Sequence, residues 1–326
     1  MQAIDGFAAH VRPRDDSAPG SSMENLSAVL RAALRGLLDG GYDLPQSVAE
    51  GAAAALILLP AKGEPVRVLD ANGPDGPPLP FQVVHHRGDQ LFFPGELVSL
   101  FFLAGAYLQI RSGDLAQDAN VERDILRMIR AEDIDAANLI FDRITGTLSG
   151  PELADANLEI FARRRGRLDE LMGWIGIRGV RCRQKIWDRP PYGRDAQFLG
   201  PDRSQDNQVS AAAAAVLLAK ILLGQVGGPE ACEQILNLLR FDPHEAAAPA
   251  SGRNSRLHMA ERLPSGSRTW GRHASGSRIL HEILAAELPG GTRFAVAFCS
   301  YLGAKRASLL PSFGEAVAEG VARLAG

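Results

Sequence analysis

Cysteine is scarce in this sequence and no charge sign dominates, and each shortage narrows what the chain can be. The three cysteines, Cys182, Cys232 and Cys299, are far apart and odd in number. They offer neither a disulfide framework nor metal-ligand spacing, so buried free thiols are expected. A formal net charge of −3 leaves no basic excess and no basic stripe, which argues against nucleic acid and against a membrane surface as partners. Long uninterrupted apolar runs are missing too. The most apolar stretches, residues 91–110 and 210–226, are broken by polar residues or rich in alanine, and they read as buried helices rather than membrane spans. The opening MQAIDGFAAHVRPRDDSAPGSS has no apolar core of the kind a signal peptide carries. A disordered tail over residues 1–22 and a cytoplasmic location are the expectations.

What is present is an ordinary globular balance: 326 residues, 46% hydrophobic and 22% charged, enough for one large domain or two moderate ones. MENLSAVLRAALRGLL has apolar residues at three- and four-residue spacing and stops at Gly40-Gly41, which predicts an amphipathic helix. AAALILLP and PVRVLD read as a hairpin, NGPDGPPLP as a loop and FQVVHH as a short strand. Helical patterns follow in ELVSLFFLAGAYLQI, NVERDILRMIR, DAANLIFDRIT, LEIFARRRGRLDELMGWIG, VSAAAAAVLLAKILL and GPEACEQILNLLR. Residues 246–277, rich in Ser, Gly, Arg and His, read as loop. SRILHEILAAEL and TRFAVAFCSYL then form a strand pair across Pro289-Gly290-Gly291, and GEAVAEGVARLA closes the chain as a helix. Strands from both ends of the chain imply an α/β (α+β) fold with an inserted helical domain. The predicted division is 23–90 with 262–326 for the sheet domain and 91–261 for the all-helical insert.

Three segments of this layout resemble the penicillin-recognising serine hydrolases, the class A β-lactamase-like family. LFFPGELVSLFFLAGAYLQI resembles the helix that carries the family's Ser-x-x-Lys. There the Ser is acylated and the Lys, one turn on, supports its deprotonation. MIRAEDIDAANLIFDRITG resembles the Ser-Asp-Asn segment, with Ala136, Ala137, Asn138 and Leu139 aligned without a gap. SRTWGRHASGSRILHEILAAELPGGTRFAVAFCS resembles the strand pair that begins with Lys-Thr-Gly. The resemblance implies the β-lactamase/transpeptidase fold, an antiparallel sheet flanked by the N- and C-terminal helices.

The departures lie in the residues that carry chemistry. In the gapless register Glu96 stands at the place of the nucleophile and Ser99 at that of the lysine. A register that makes Ser99 the nucleophile puts Phe102 at the lysine's place. Glu132 replaces the second motif's Ser, Asp133 is kept and Ile134 replaces its Asn. Arg268, Thr269 and Gly271 align with Lys-Thr-Gly only if Trp270 is an insertion. The deacylating Glu has no counterpart in the loop holding Pro190-Pro191.

Glu96, Ser99, Glu132 and Asp133 are therefore the candidate catalytic residues, and Asn138, Arg268, Thr269, Gly271 and His273 the candidate binding residues. Each acid also has a structural reading, because a carboxylate in a first helical turn is favoured by the helix dipole and can cap free N–H groups. A Ser in an apolar helix ordinarily hydrogen-bonds to its own backbone. If the carboxylates converge, they require a raised pKa or a cation, with Arg268, Arg272, a metal ion or a cationic substrate group as candidates. His85, His86 and His273 have no ligand partner at a recognisable spacing, so no metal and no cofactor are expected. The functional expectation is a non-acylating pseudoenzyme or ligand-binding protein that takes a small-molecule or peptide-like ligand. The alternative is a hydrolase of an amide or β-lactam-like bond using Glu96 and Glu132 or, last in order, Ser99.

Overall fold

The computed structural model describes residues 22–39, 51–60, 62, 81–242 and 256–325. Residues 1–21 of the expected tail, the strand PVRVLD and the loop NGPDGPPLP lie outside the described residues.

A six-stranded antiparallel sheet in the order β2-β1-β9-β8-β7-β6 forms the centre. Its strands are β1 (Ala52–Leu59), β2 (Val83–His86), β6 (Arg240–Phe241), β7 (Arg268–Ser275), β8 (Leu280–Glu287) and β9 (Arg293–Ser300). A small second sheet, β3-β5-β4, joins Leu91–Phe92, Gln208–Ser210 and Val180–Arg181. The helices are α1 (Ser22–Asp39), α2 (Val98–Ser112), α3 (Ala119–Arg130), α4 (Ile134–Thr145), α5 (Asp155–Arg165), α6 (Arg167–Trp174), α7 (Gly193–Leu199), α8 (Ala211–Leu222), α9 (Pro229–Leu239) and α10 (Leu310–Ala325).

Alternation along the strands divides the core in two. Ala52, Ala54 and Leu56 of β1 join Phe294, Val296 and Phe298 of β9 in a core beneath α1 and α10. Ala53, Ala55 and Ile57 join Ala295, Ala297 and Cys299 on the opposite face, beneath α2 and α8. This is the period-two pattern of a sheet buried on both sides. The second face is mostly alanine, and α8 is itself a run of alanines that packs on β1 and β9. Small residues on both surfaces let the helix approach the sheet closely. All three cysteines are buried and free, as the sequence predicts.

Helix boundaries follow local chemistry. The Asp118 side chain accepts from the N–H groups of Asn120 and Val121 (both 2.9 Å) and starts α3. α2 ends at Gly113 and α4 at Gly146, both in the left-handed region where glycine carries no Cβ penalty.

Two sequence expectations need correction. LEIFARRRGRLDELMGWIG is two helices, α5 and α6, with the break at Gly166. Arg165, just before the break, is fully buried against Asp195 and the Phe141 and Phe161 rings. That anchoring fixes the end of α5 by a tertiary contact that periodicity cannot register. Residues 268–275, read as loop, are the strand β7, paired with β8 along its whole length. Its Arg, Thr and His side chains hide the apolar alternation, but each has a polar partner inside the fold.

Candidate functional site

Gly95 turns the chain into α2. Its φ of +54° suits glycine, and a Cβ there would lie 2.5 Å from the Ile279 Cδ1. The short 3-10 turn Gly95–Leu97 follows and carries Glu96, with Ser99 one turn further on at the start of α2. From the other side, the turn between α3 and α4 presents Glu132 and Asp133. Glu132 has a φ of +50° without being glycine, a conformation that stores backbone strain. Asp133 is the cap of α4, accepting from the Ala136 N–H at 3.0 Å and pairing with Arg127. The Ala136 N–H and the Arg127 guanidinium hold its carboxyl below the ordinary range despite partial burial.

The third element is β7. Its Arg272, fully buried, reaches across to donate to the Ser99 Oγ (3.0 Å) and to the Ile129 carbonyl (2.8 Å), and it lies 3.8 Å from the Glu132 carboxylate. Burial weakens the guanidinium's hold on its proton, while Glu132 and Glu96 oppose that shift. Arginine remains cationic in such surroundings. It is the cation that the converging carboxylates require.

Ser99 is spoken for on both sides. Its hydroxyl donates to the Glu96 carbonyl (2.7 Å) and accepts from Arg272. A serine nucleophile needs a neighbour that takes its proton; here the hydroxyl hydrogen points to a backbone carbonyl, which cannot take it, and the other neighbour is a guanidinium. Lys185, from the loop beside the site, is committed to Asp142 (2.6 Å) and Ser149 (2.9 Å). The space enclosed by Glu96, Ser99, Glu132, Asp133, Ile186 and Arg272 is about 10 Å³, room for about one water.

Asn138 of α4 braces this arrangement. It donates to the Ile186 carbonyl (2.9 Å) and accepts from the Ile186 N–H (2.8 Å), pinning the loop that forms the cavity's wall. Of the other candidate binding residues, none lines the small cavity, though Gly271 and His273 border the neighbouring hollow with Glu132. Arg268 pairs with Glu287 at the far end of β7, and Thr269 donates to the Phe241 carbonyl. Gly271 sits where a Cβ would be 2.1 Å from the Ile283 carbonyl oxygen. His273 faces the other side of the sheet, toward Glu282 and His258. Arg272 is the residue that completes the site. Its position one residue beyond the aligned Lys-Thr-Gly equivalents was the available signal.

Neither a protein-family model nor a curated protein matches the sequence. Solved structures do. A β-lactamase from Sphaerobacter thermophilus superposes with a TM-score of 0.57 at 15% identity, covering 92% of this chain and 97% of that one. A β-lactamase from Xanthomonas campestris gives 0.57 at 16% identity over 93% and 99%. A PBP-A variant, captured as an acyl-enzyme with penicillin G, gives 0.57 at 14% identity over 91% and 97%. The chain has the β-lactamase/transpeptidase fold. Among the described residues no helix is long and apolar enough to cross a membrane.

Proposed function

We propose that this chain is a non-acylating pseudoenzyme of the β-lactamase fold, a ligand-binding protein in place of a serine hydrolase. The observation that carries this reading is the Arg272 guanidinium seated on the Ser99 hydroxyl, in a cavity of about 10 Å³ that is also lined by Glu96, the residue the sequence resemblance aligns with the nucleophile. A β-lactam ring does not fit that volume, and no base is set against the Ser99 hydroxyl, which donates to a backbone carbonyl and accepts from a guanidinium. A small-molecule or peptide-like ligand would sit at the mouth of the cleft, where Glu132 and Arg272 also border a neighbouring hollow of about 110 Å³.

The test is incubation with a chromogenic cephalosporin and a penicillin probe, following colour and intact mass together. Neither colour nor adduct is expected from the folded protein. A stable adduct that disappears in Ser99→Ala would overturn the proposal.

One observation favours a second reading. Glu132 is strained and lines both the small cavity and the neighbouring hollow, as a general acid or base acting on an amide bond would. Turnover of an amide substrate that is lost in Glu96→Gln/Glu132→Gln, with stability unchanged, would establish that version.

A further inference from the structure

Directly behind Arg272, on the opposite face of β7, three residues far apart in sequence converge. His258 begins the 3-10 turn His258–Ala260, His273 lies on β7 and Glu282 is its register partner on β8. Each offers a ligand atom within 4.8 Å of the other two. We infer that His258, His273 and Glu282 form a binding site for a divalent transition-metal ion of the zinc type.

The geometry goes beyond proximity. Around a tetrahedral zinc with bonds of about 2.1 Å, neighbouring donors stand about 3.4 Å apart. His273 Nδ1 and Glu282 Oε2 are 3.3 Å apart already, and the His258 ligand atom lies within 4.8 Å of both. Glu282 is wholly buried, and its two oxygens accept the N–H groups of His258 (2.9 Å) and Met259 (2.6 Å). The carboxylate is thus fixed in position, and each oxygen keeps a second lone pair.

His258 carries the support that metal-binding histidines have. Its Nδ1 lies 3.0 Å from the Glu261 carboxylate, which is held in turn by Arg256 at 2.7 Å. A carboxylate on Nδ1 sets the tautomer and leaves Nε2 with its lone pair outward. Two imidazoles and one carboxylate suit zinc, cobalt or nickel, and not magnesium or calcium, which prefer all-oxygen shells.

Three protein ligands leave a fourth position open. The His258 side chain is 21% exposed, and His273 borders the 110 Å³ hollow at the sheet edge, so an ion and its water have a way in. The site shares no side chain with the Glu96–Ser99–Arg272 cluster, although both border the same hollow.

The experiment titrates chelator-treated full-length protein with Zn²⁺ against a chromophoric indicator, alongside thermal unfolding. One equivalent taken up with a rise in Tm is expected. His258→Asn and His273→Asn should each weaken uptake at least 100-fold, and Glu261→Gln by about 10- to 100-fold. Mg²⁺ at millimolar concentration should not compete. His258→Asn is the decisive variant, since the His258 backbone N–H, not its ring, anchors Glu282 and the fold is retained. Uptake unchanged in that variant, or no uptake by the wild-type protein, would overturn the inference.

Discussion

The β7–β8 ladder carries a histidine on each face, and the two are built to opposite ends. His281 lies on the face covered by α2 and α8. Its Nε2 lies 2.9 Å from the Phe93 carbonyl, to which it donates, and its Nδ1 accepts from the Ser300 N–H at 3.2 Å. Both nitrogens are satisfied by backbone, and burial depresses the imidazole's pKa to about 4. Arg272, on that same face, is likewise turned inward onto Ser99 and Ile129. On the other face, His273 meets a carboxylate and a second imidazole rather than backbone. One face turns its polar groups inward onto backbone and Ser99; the other brings two imidazoles and a carboxylate within 4.8 Å of one another. The difference shows that the strand's polar residues serve two separate ends, which the sequence displays as one undivided run.

The comparison can be broken from the closed face first. Replacing Arg272 with Met should cost about 3–5 kcal/mol, because it leaves the Glu132 carboxylate and the Ile129 carbonyl without their cation. Urea unfolding measures the loss. A loss under about 1 kcal/mol would mean that Arg272 is not the keystone of the cleft. Adding Glu132→Gln should recover part of the loss, and a double-mutant cycle isolates the pair.

His281 supplies the next largest effect. The unfolded chain binds a proton near pH 6.5, while the folded chain resists it until about pH 4. Stability from this group is complete above pH 6.5 and is lost as the pH falls toward 4, by about 3 kcal/mol in all. Unfolding free energies at pH 7.5 and 4.5 should differ by less in His281→Asn than in the wild type.

Asn138→Ala removes both bonds to Ile186 and should destabilise by about 1–3 kcal/mol, read by the same unfolding curves. The wall of the cleft should loosen with it, visible as faster amide exchange in the loop around Ile186. Ser99→Ala ranks last. It deletes one acceptor of a residue with other partners, so about 1 kcal/mol or less is expected, checked by thermal unfolding.

Much of the frame was legible in advance. The helices of residues 98–145 announce themselves by periodicity and by glycine stops at Gly113 and Gly146, and the β8–β9 pair by its turn at Pro289-Gly290-Gly291. The carboxylates were legible as a cluster only through the resemblance, since Glu96 and Glu132 stand at matched positions of two separate segments. β7 was not legible, because a strand whose Arg, Thr and His are satisfied by distant partners has no apolar alternation to read. The Arg268–Thr269–Gly271 alignment pointed to the correct strand and to residues that lie away from the carboxylates.

By itself, then, the sequence determined most of the helices, the sheet's long apolar strands and the fold class. These follow from local spacing and side-chain type, which act over a few residues. Tertiary structure decided that Arg272 closes on a serine 173 positions away, and that His258, His273 and Glu282 meet behind it. Both depend on which face of one strand a residue occupies, and a shift of a single residue would exchange the two.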